Sequence, residues 1–164
     1  MSQLEYIKNE NKKHSEIFKD GNLPLPPSRK IAVLACMDAR LLVDQVLGLK
    51  IGEAHIIRNA GGIATDDAIR SLIISHELLG TKEIIVVNHT NCSMVTFKDE
   101  DLQKIISEKY NNDTTNIRFH AFESVEDNVK NQIKHIRSVP FLSEIISVSG
   151  FIYDVSTGNI TQVS

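Results

Sequence analysis

Apolar positions along this chain fall into two rhythms. Unbroken apolar runs of four residues recur, as in Ile31-Ala32-Val33-Leu34 and Ile84-Ile85-Val86-Val87. Such runs read as strands covered on both faces. Strands are therefore expected over Arg29–Ala35, Ala54–Arg58, Glu83–Asn88 and Ile145–Asp154. Between them the spacing changes to three and four. A short helix is expected over Leu41–Leu47. A longer one starts at the N-cap Thr65, has Asp66 and Asp67 in its first turn, and buries Ile69, Leu72, Ile73, His76 and Leu79 before Gly80 stops it. Residues 99–110 read as helical. Ser124, with Asp127 three residues on in the manner of a capping box, opens a helix to Arg137 whose buried face is Val125, Val129, Ile133 and Ile136; Pro140 ends that segment. The turn Ser156-Thr157-Gly158-Asn159 leads into a last short strand, antiparallel to the fourth.

The first 28 residues differ. Residues 2–19 are helix-prone, with only Leu4, Ile7, Ile17 and Phe18 as an apolar stripe. That stripe is too thin to hold a helix firmly to its own core, and it suits an arm laid over a partner subunit. Leu23-Pro24-Leu25-Pro26-Pro27 forbids helix and reads as an extended connector. The expected organisation is a helical arm and connector over 1–28 and one α/β domain over 29–164. Alternating strands and helices imply right-handed βαβ units around a parallel sheet. The expected strand order is the flavodoxin-like 2-1-3-4, with a short antiparallel C-terminal strand. In that order the first and third strands are neighbours, and ligands bind beyond their carboxyl ends.

Composition narrows the function. The chain has 164 residues, 41% hydrophobic and 24% charged, with a formal net charge of −3. That balance speaks against a dedicated nucleic-acid binder. No apolar run approaches a membrane span, and Met1-Ser2-Gln3-Leu4-Glu5 has no apolar core of an export signal. A cytoplasmic, reducing setting is the expectation. The two cysteines are too few for a disulfide framework and should remain thiols there.

Both cysteines fall at the expected crevice. Cys36 follows the first strand in Cys36-Met37-Asp38-Ala39-Arg40, and Cys92 follows the third in His89-Thr90-Asn91-Cys92. Two thiolates and an imidazole suit Zn²⁺. Three protein ligands leave a fourth tetrahedral position open, as catalytic zinc sites do. Asp38 is the group placed to approach that position. If the segment is extended, Asp38 and Arg40 project to one side, and the guanidinium can take the carboxylate bidentately. Held by Arg40, Asp38 stays off the metal as a hydrogen-bond acceptor; released, it becomes a conditional fourth ligand. A redox pair or regulatory disulfide is the competing use of two nearby thiols.

At these residues the sequence resembles the beta-class carbonic anhydrases of the small, minimal-length type. The resemblance rests on the Cys-x-Asp-x-Arg and His-x-x-Cys motifs, on Arg58-Asn59-Ala60-Gly61-Gly62, on Asp66-Asp67-Ala68-Ile69-Arg70-Ser71-Leu72, and on Gly150-Phe151-Ile152-Tyr153-Asp154-Val155 followed by Thr157-Gly158. It spans about residues 29–164. It implies one Zn²⁺ per chain on Cys36, His89 and Cys92, with Asp38 and Arg40 as the catalytic dyad. It implies reversible hydration of CO₂ to bicarbonate and a proton, and a homodimer or higher homo-oligomer with the cleft at the subunit interface. Neither nucleic acid nor membrane is an expected partner. Asn59, Gly61 and Gly62 would frame the cleft through a tight turn; the segment lacks the spacing of a phosphate loop. His55 is a candidate proton shuttle. The chain departs from the His-His-Thr-Asp-Cys-Gly of many such relatives at Asn88, Asn91 and Ser93. These departures keep the ligands and bear on rate and substrate range. Hydrolysis of carbonyl sulfide or carbon disulfide, or a non-catalytic zinc or redox module, are the alternatives on the same scaffold. A nucleotide-binding domain is suggested by fold alone.

Overall fold

In the computed structural model, which describes residues 1–142 and 147–164, the two strands over 31–36 and 83–89 owe their central place to apolar runs that need cover on both sides. The elements are α1 (Gln3–Ile17), β1 (Ile31–Cys36), α2 (Val43–Leu47), β2 (Ala54–Asn59), α3 (Asp66–Glu77), β3 (Glu83–His89), α4 (Asp99–Tyr110), α5 (Val125–Ser138), β4 (Ser147–Tyr153) and β5 (Ile160–Val163). The sheet order is β2-β1-β3-β4-β5, parallel except for the β4–β5 pair. The expected first residue of the fourth strand, Ile145, lies outside the described residues.

Alternation along the strands feeds two cores. Ala32, Leu34, Ile84 and Val86 point to the face covered by α3 and α5, through Ala68, Leu72, Val129 and Ile136. Val33, Ala35 and Val87 point to the other, with Leu41, Val43 and Met94. α5 approaches β4 closely because Gly150 has no side chain; a Cβ there would collide with Val129 and Ile133. The buried face of α5 is broader than its apolar positions. Asn128 and Gln132 are buried beside Val129 and Ile136.

Caps agree with the sequence. Thr65 Oγ1 accepts from Ala68 N, and Ser124 Oγ from Asp127 N. α1 has a full capping box between Ser2 and Glu5, yet none of its residues is buried. Its apolar residues Leu4 and Ile7 stand 61% and 60% exposed.

The loop from α4 to α5 is tied down by one carboxylate. Asp99 accepts from Phe119 N (2.9 Å), His120 N (3.1 Å) and Ala121 N (2.8 Å). Partial burial pushes its acidity constant up, and the three N–H groups outweigh this and hold it below the usual carboxylate value. Asp99→Asn is expected to cost about 1–3 kcal/mol of stability at neutral pH, since one charged acceptor is replaced by a weaker one. A carboxylate whose folded acidity constant is depressed stabilises above its unfolded value of about 3.9 and loses that contribution as pH falls through the folded value. Denaturant melts should therefore show the variant's deficit at pH 7 and a smaller one near pH 3.

Candidate metal centre

Parallel pairing brings distant residues to one place. Cys36 is the last residue of β1, not one past it, and His89 is the last residue of the neighbouring β3. Asn91, at φ 53°, reverses the chain so that Cys92 returns to the same spot. Asparagine tolerates that left-handed conformation. Ser93 opens a 3₁₀ turn over Ser93–Val95, so a glycine's freedom is not needed there.

All three side chains are buried, and their ligand atoms lie within 4.8 Å of one another. His89 Nε2 sits 3.2 Å from Cys36 Sγ. His89 Nδ1 is 2.8 Å from the Thr90 carbonyl, which can only accept. Nδ1 therefore carries the proton, and the Nε2 lone pair of the neutral ring faces the sulfurs. Both cysteines are free thiols. The neighbouring Cys92 thiol, which can donate to its sulfur, lowers Cys36 against the opposing effect of burial. The neighbouring Cys36, then burial, pushes Cys92 up. Burial is the largest single influence on His89 and lowers it, but Cys36, Thr90 and Asp38 together raise it. A tetrahedral Zn²⁺ with bonds of 2.0–2.3 Å needs ligand atoms about 3.5–4 Å apart. The donor set fits such an ion with side-chain adjustments of a fraction of an ångström.

Asp38 and Arg40 stand beside this cluster. Arg40 Nε donates to Asp38 Oδ1 (2.9 Å), and Nη2 donates to Oδ2 (2.8 Å). The segment is not extended as expected. Asp38 Oδ1 also accepts from Arg40 N (2.9 Å), and Leu41 N donates to the Asp38 carbonyl (3.0 Å). This Asx turn folds the chain back, and it still presents the guanidinium to the carboxylate. Arg40 Nη2 reaches the Asn91 carbonyl as well (3.1 Å), which ties the pair to the loop of Cys92. The Arg40 guanidinium holds Asp38 well below the usual carboxylate range. Asp38 Oδ2 lies 3.6 Å from His89 Nε2, within reach of the metal position.

The residues of the 58–62 segment work from behind. Asn59 clamps its turn by accepting from Ile63 N (2.8 Å) and donating to Ile63 O (2.7 Å). Gly61 and Gly62 have φ of 79° and 59°. A Cβ on Gly62 would lie 3.0 Å from Cys36 N, so only glycine lets this turn approach β1.

Arg58 was not singled out from the sequence as a site residue. Its Nε and Nη2 donate to the Cys36 carbonyl (3.1 and 3.0 Å), and Nη2 also donates to the Asp38 carbonyl (2.7 Å). Its place next to Asn59, opposite Cys36 in the strand register, was the available signal.

His55 does not join the cluster. It pairs in register with Ala32, four residues before Cys36, which puts it roughly 13 Å towards the other end of the strands. Its Nδ1 lies 2.6 Å from Ser75 Oγ of α3. Within one chain this ring is thus paired with α3, away from the Cys36–His89–Cys92 cluster.

Residues 31–160 match the family model for carbonic anhydrase. The chain is 46% identical to "Beta-carbonic anhydrase 1" of Mycobacterium tuberculosis over 164 residues, covering 98% of this chain and 96% of the relative. It is 30% identical to "Carbon disulfide hydrolase" of Acidithiobacillus thiooxidans, covering 98% and 90%. The crystal structure of the carbonic anhydrase from Streptococcus mutans superposes with a TM-score of 0.95 at 39% identity, covering 100% of this chain and 99% of that one.

Proposed function

The chain belongs to the beta-carbonic anhydrase family, and on that premise we propose that it reversibly hydrates carbon dioxide to bicarbonate and a proton, with one Zn²⁺ held by Cys36, His89 and Cys92. The observation that carries this is the buried Cys36–His89–Cys92 cluster with an Arg40-held Asp38 at its open side. When bound, the ion supplies Lewis-acid chemistry, lowering the pKa of water so that hydration runs at moderate pH.

The chain's own groups do the rest. Arg40 keeps Asp38 ionised and turned away from the ligand set, so that Asp38 Oδ2 can accept a hydrogen bond and orient the attacking water. Asp38 would become a metal ligand only if Arg40 released it. Arg58 holds the backbone carbonyls of Cys36 and Asp38, and Asn59 with Gly61 and Gly62 closes the floor. Residues 29–164 form the catalytic domain.

Cys36 and Cys92 bring two negative charges to the ligand set. They should acidify the water less than three imidazoles, which bring it to about 7. Activity should therefore rise with pH above neutrality. The test is metal analysis together with stopped-flow CO₂ hydration from pH 6.5 to 9.5. Folded protein that binds no zinc, or a rate flat across that range, would count against the reading.

Carbon disulfide or carbonyl sulfide as substrate is the second reading, supported by the relative named for carbon disulfide hydrolysis. Parallel assays on CO₂ and on both sulfur compounds separate the two; CO₂ should be turned over fastest.

We also propose a homodimer, because Leu4, Ile7 and Ile17 of α1 and Phe18 at its C-cap stand exposed among the described residues. A second copy would cover the 1–28 arm and wall the cleft. Sedimentation should give at least twice the 18.3 kDa chain mass, and removal of residues 1–22 should shift it towards the monomer. Among the described residues no helix is long and apolar enough to cross a membrane. Two free thiols at the metal fit the reducing cytoplasm.

A further inference from the structure

Behind the metal cluster runs a chain of three buried amides that the catalytic reading does not use. Gln132 Oε1 accepts from Ala64 N (2.9 Å), and Gln132 Nε2 donates to Asn128 Oδ1 (2.8 Å). Asn128 Nδ2 donates to the Gly61 carbonyl (3.2 Å) and to Asn88 Oδ1 (2.9 Å). The ends of this chain have fixed polarity. Ala64 N–H can only donate and Gly61 C=O can only accept, so every amide orientation between them is determined. One consequence is visible at Asn88. Its oxygen is taken by Asn128, and its Nδ2 is the one buried side-chain polar atom among the described residues left without a partner. Such an orphan costs about 1–3 kcal/mol. Fold stability alone does not favour keeping it.

The chain grips both ends of the turn that lies under the metal cluster. Gly61 and Ala64 are its two anchor points, and Asn88 precedes the ligand His89. The turn has almost no slack. A Cβ on Gly62 would meet Cys36 N at 3.0 Å, the Ala35 carbonyl carbon at 3.1 Å and Asn88 Nδ2 at 3.1 Å. The turn therefore lies directly against the backbone of Cys36. Any shift of the turn is thus passed directly to a thiolate ligand. Groups that hold ligands from outside the coordination sphere commonly set metal affinity.

We propose that Asn128 and Gln132 of α5, acting with Asn88, are positioning residues for the metal: they pin the Gly61–Ala64 turn against the backbone of Cys36 and so fix where that ligand stands. The inference rests on reading Cys36, His89 and Cys92 as metal ligands. It gives the two polar residues on the buried face of α5 a role in metal affinity that packing alone does not require.

The test uses cobalt(II) as the probe on the full-length chain. Wild type, Asn128→Leu and Gln132→Glu are loaded with cobalt(II), titrated against a competing chelator, and examined for thiolate-to-cobalt absorption. Folding is checked by circular dichroism. Asn128→Leu keeps a similar volume but removes the donor to Gly61. Gln132→Glu keeps the acceptor for Ala64 N–H and, ionised at the assay pH of 8 to 9, withdraws the donor from Asn128. Both folded variants should bind cobalt(II) about 10–100-fold more weakly, with an altered thiolate band. Asp99→Asn, which destabilises at a distance, should keep wild-type affinity and spectrum.

Folded variants with wild-type affinity and spectrum overturn the inference. So does an equal loss of affinity in Asp99→Asn, because general instability would then explain it. If Asn128→Leu does not fold, Gln132→Glu decides. A wild-type chain that takes up no cobalt(II) or zinc overturns the metal reading itself, which is a separate outcome.

Discussion

Cys36→Ser protein should fold, carry little or no zinc, and hydrate CO₂ at least about a thousandfold more slowly than wild type. Bound zinc contributes several kcal/mol of transition-state stabilisation, and each 1.4 kcal/mol is a factor of ten. Serine preserves the shape of the site but not its charge. The Cys92 thiol beside it favours the thiolate form of Cys36. A serine hydroxyl stays neutral beside the same donor. It is also a harder ligand than a site of two sulfurs and an imidazole calls for. The fold should survive, because Cys36 lies at the end of β1 and the hydroxyl can keep the hydrogen bonds around it. Metal content by mass spectrometry, set beside the hydration rate, checks the expectation. Full zinc occupancy in the folded variant would show that Cys36 is not a ligand.

The second large effect belongs to Asp38. Asp38→Asn should retain zinc and lose about 10²–10⁴ in kcat/KM, the usual worth of a placed acid–base group. The amide cannot take both Arg40 bonds, because its NH₂ would meet the Nη2 donor now bound to Oδ2 at 2.8 Å. It also lacks the charge that orients water. Stability should move little. The Arg40 side chain is 52% exposed, and a pair that open contributes about 0–1 kcal/mol. Arg40→Leu should lose activity by another route, since a released Asp38 can turn towards the metal; its Oδ2 already lies 3.6 Å from His89 Nε2. Two variants with normal melting temperatures and normal zinc, but slow turnover, are the expected pattern. Near-normal turnover in Asp38→Asn would remove the dyad from the mechanism.

Much of the framework was legible because it is local. The helix over 99–110 has the bounds expected from its pattern, and the caps at Thr65 and Ser124 are made as their residue types suggest. Alternation of strands and helices implies a parallel doubly wound sheet; the flavodoxin-like order, one of those such a sheet adopts, is the one found, and it brings Cys36 near His89. Less legible was the turn at Asp38. The sequence suggests an extended segment, but a side-chain oxygen that can accept from the N–H two residues on competes with extension, and it won. Arg58 was hidden for a different reason. Its partners are the carbonyls of Cys36 and Asp38, on another strand, and a lone arginine at a strand end announces no partner.

His55 and the amide chain mark the same boundary. Periodicity says which residues share a face, but not how far along a neighbouring strand they stop. Register put His55 beside Ala32 and Asn59 beside Cys36. Asn128 and Gln132 are not among the apolar positions that mark the buried face of α5, and a buried polar residue is costly until its partners are known. Those partners, Gly61, Ala64 and Asn88, lie 40 to 68 residues away. By itself the sequence determined the elements, the candidate ligand residues and the strand ends that carry them, because these depend on contacts within a few residues. The tertiary structure decided the register, the turn that aims Arg40 at Asp38, and the amide chain beneath the metal, because each depends on groups that only folding brings within hydrogen-bond distance.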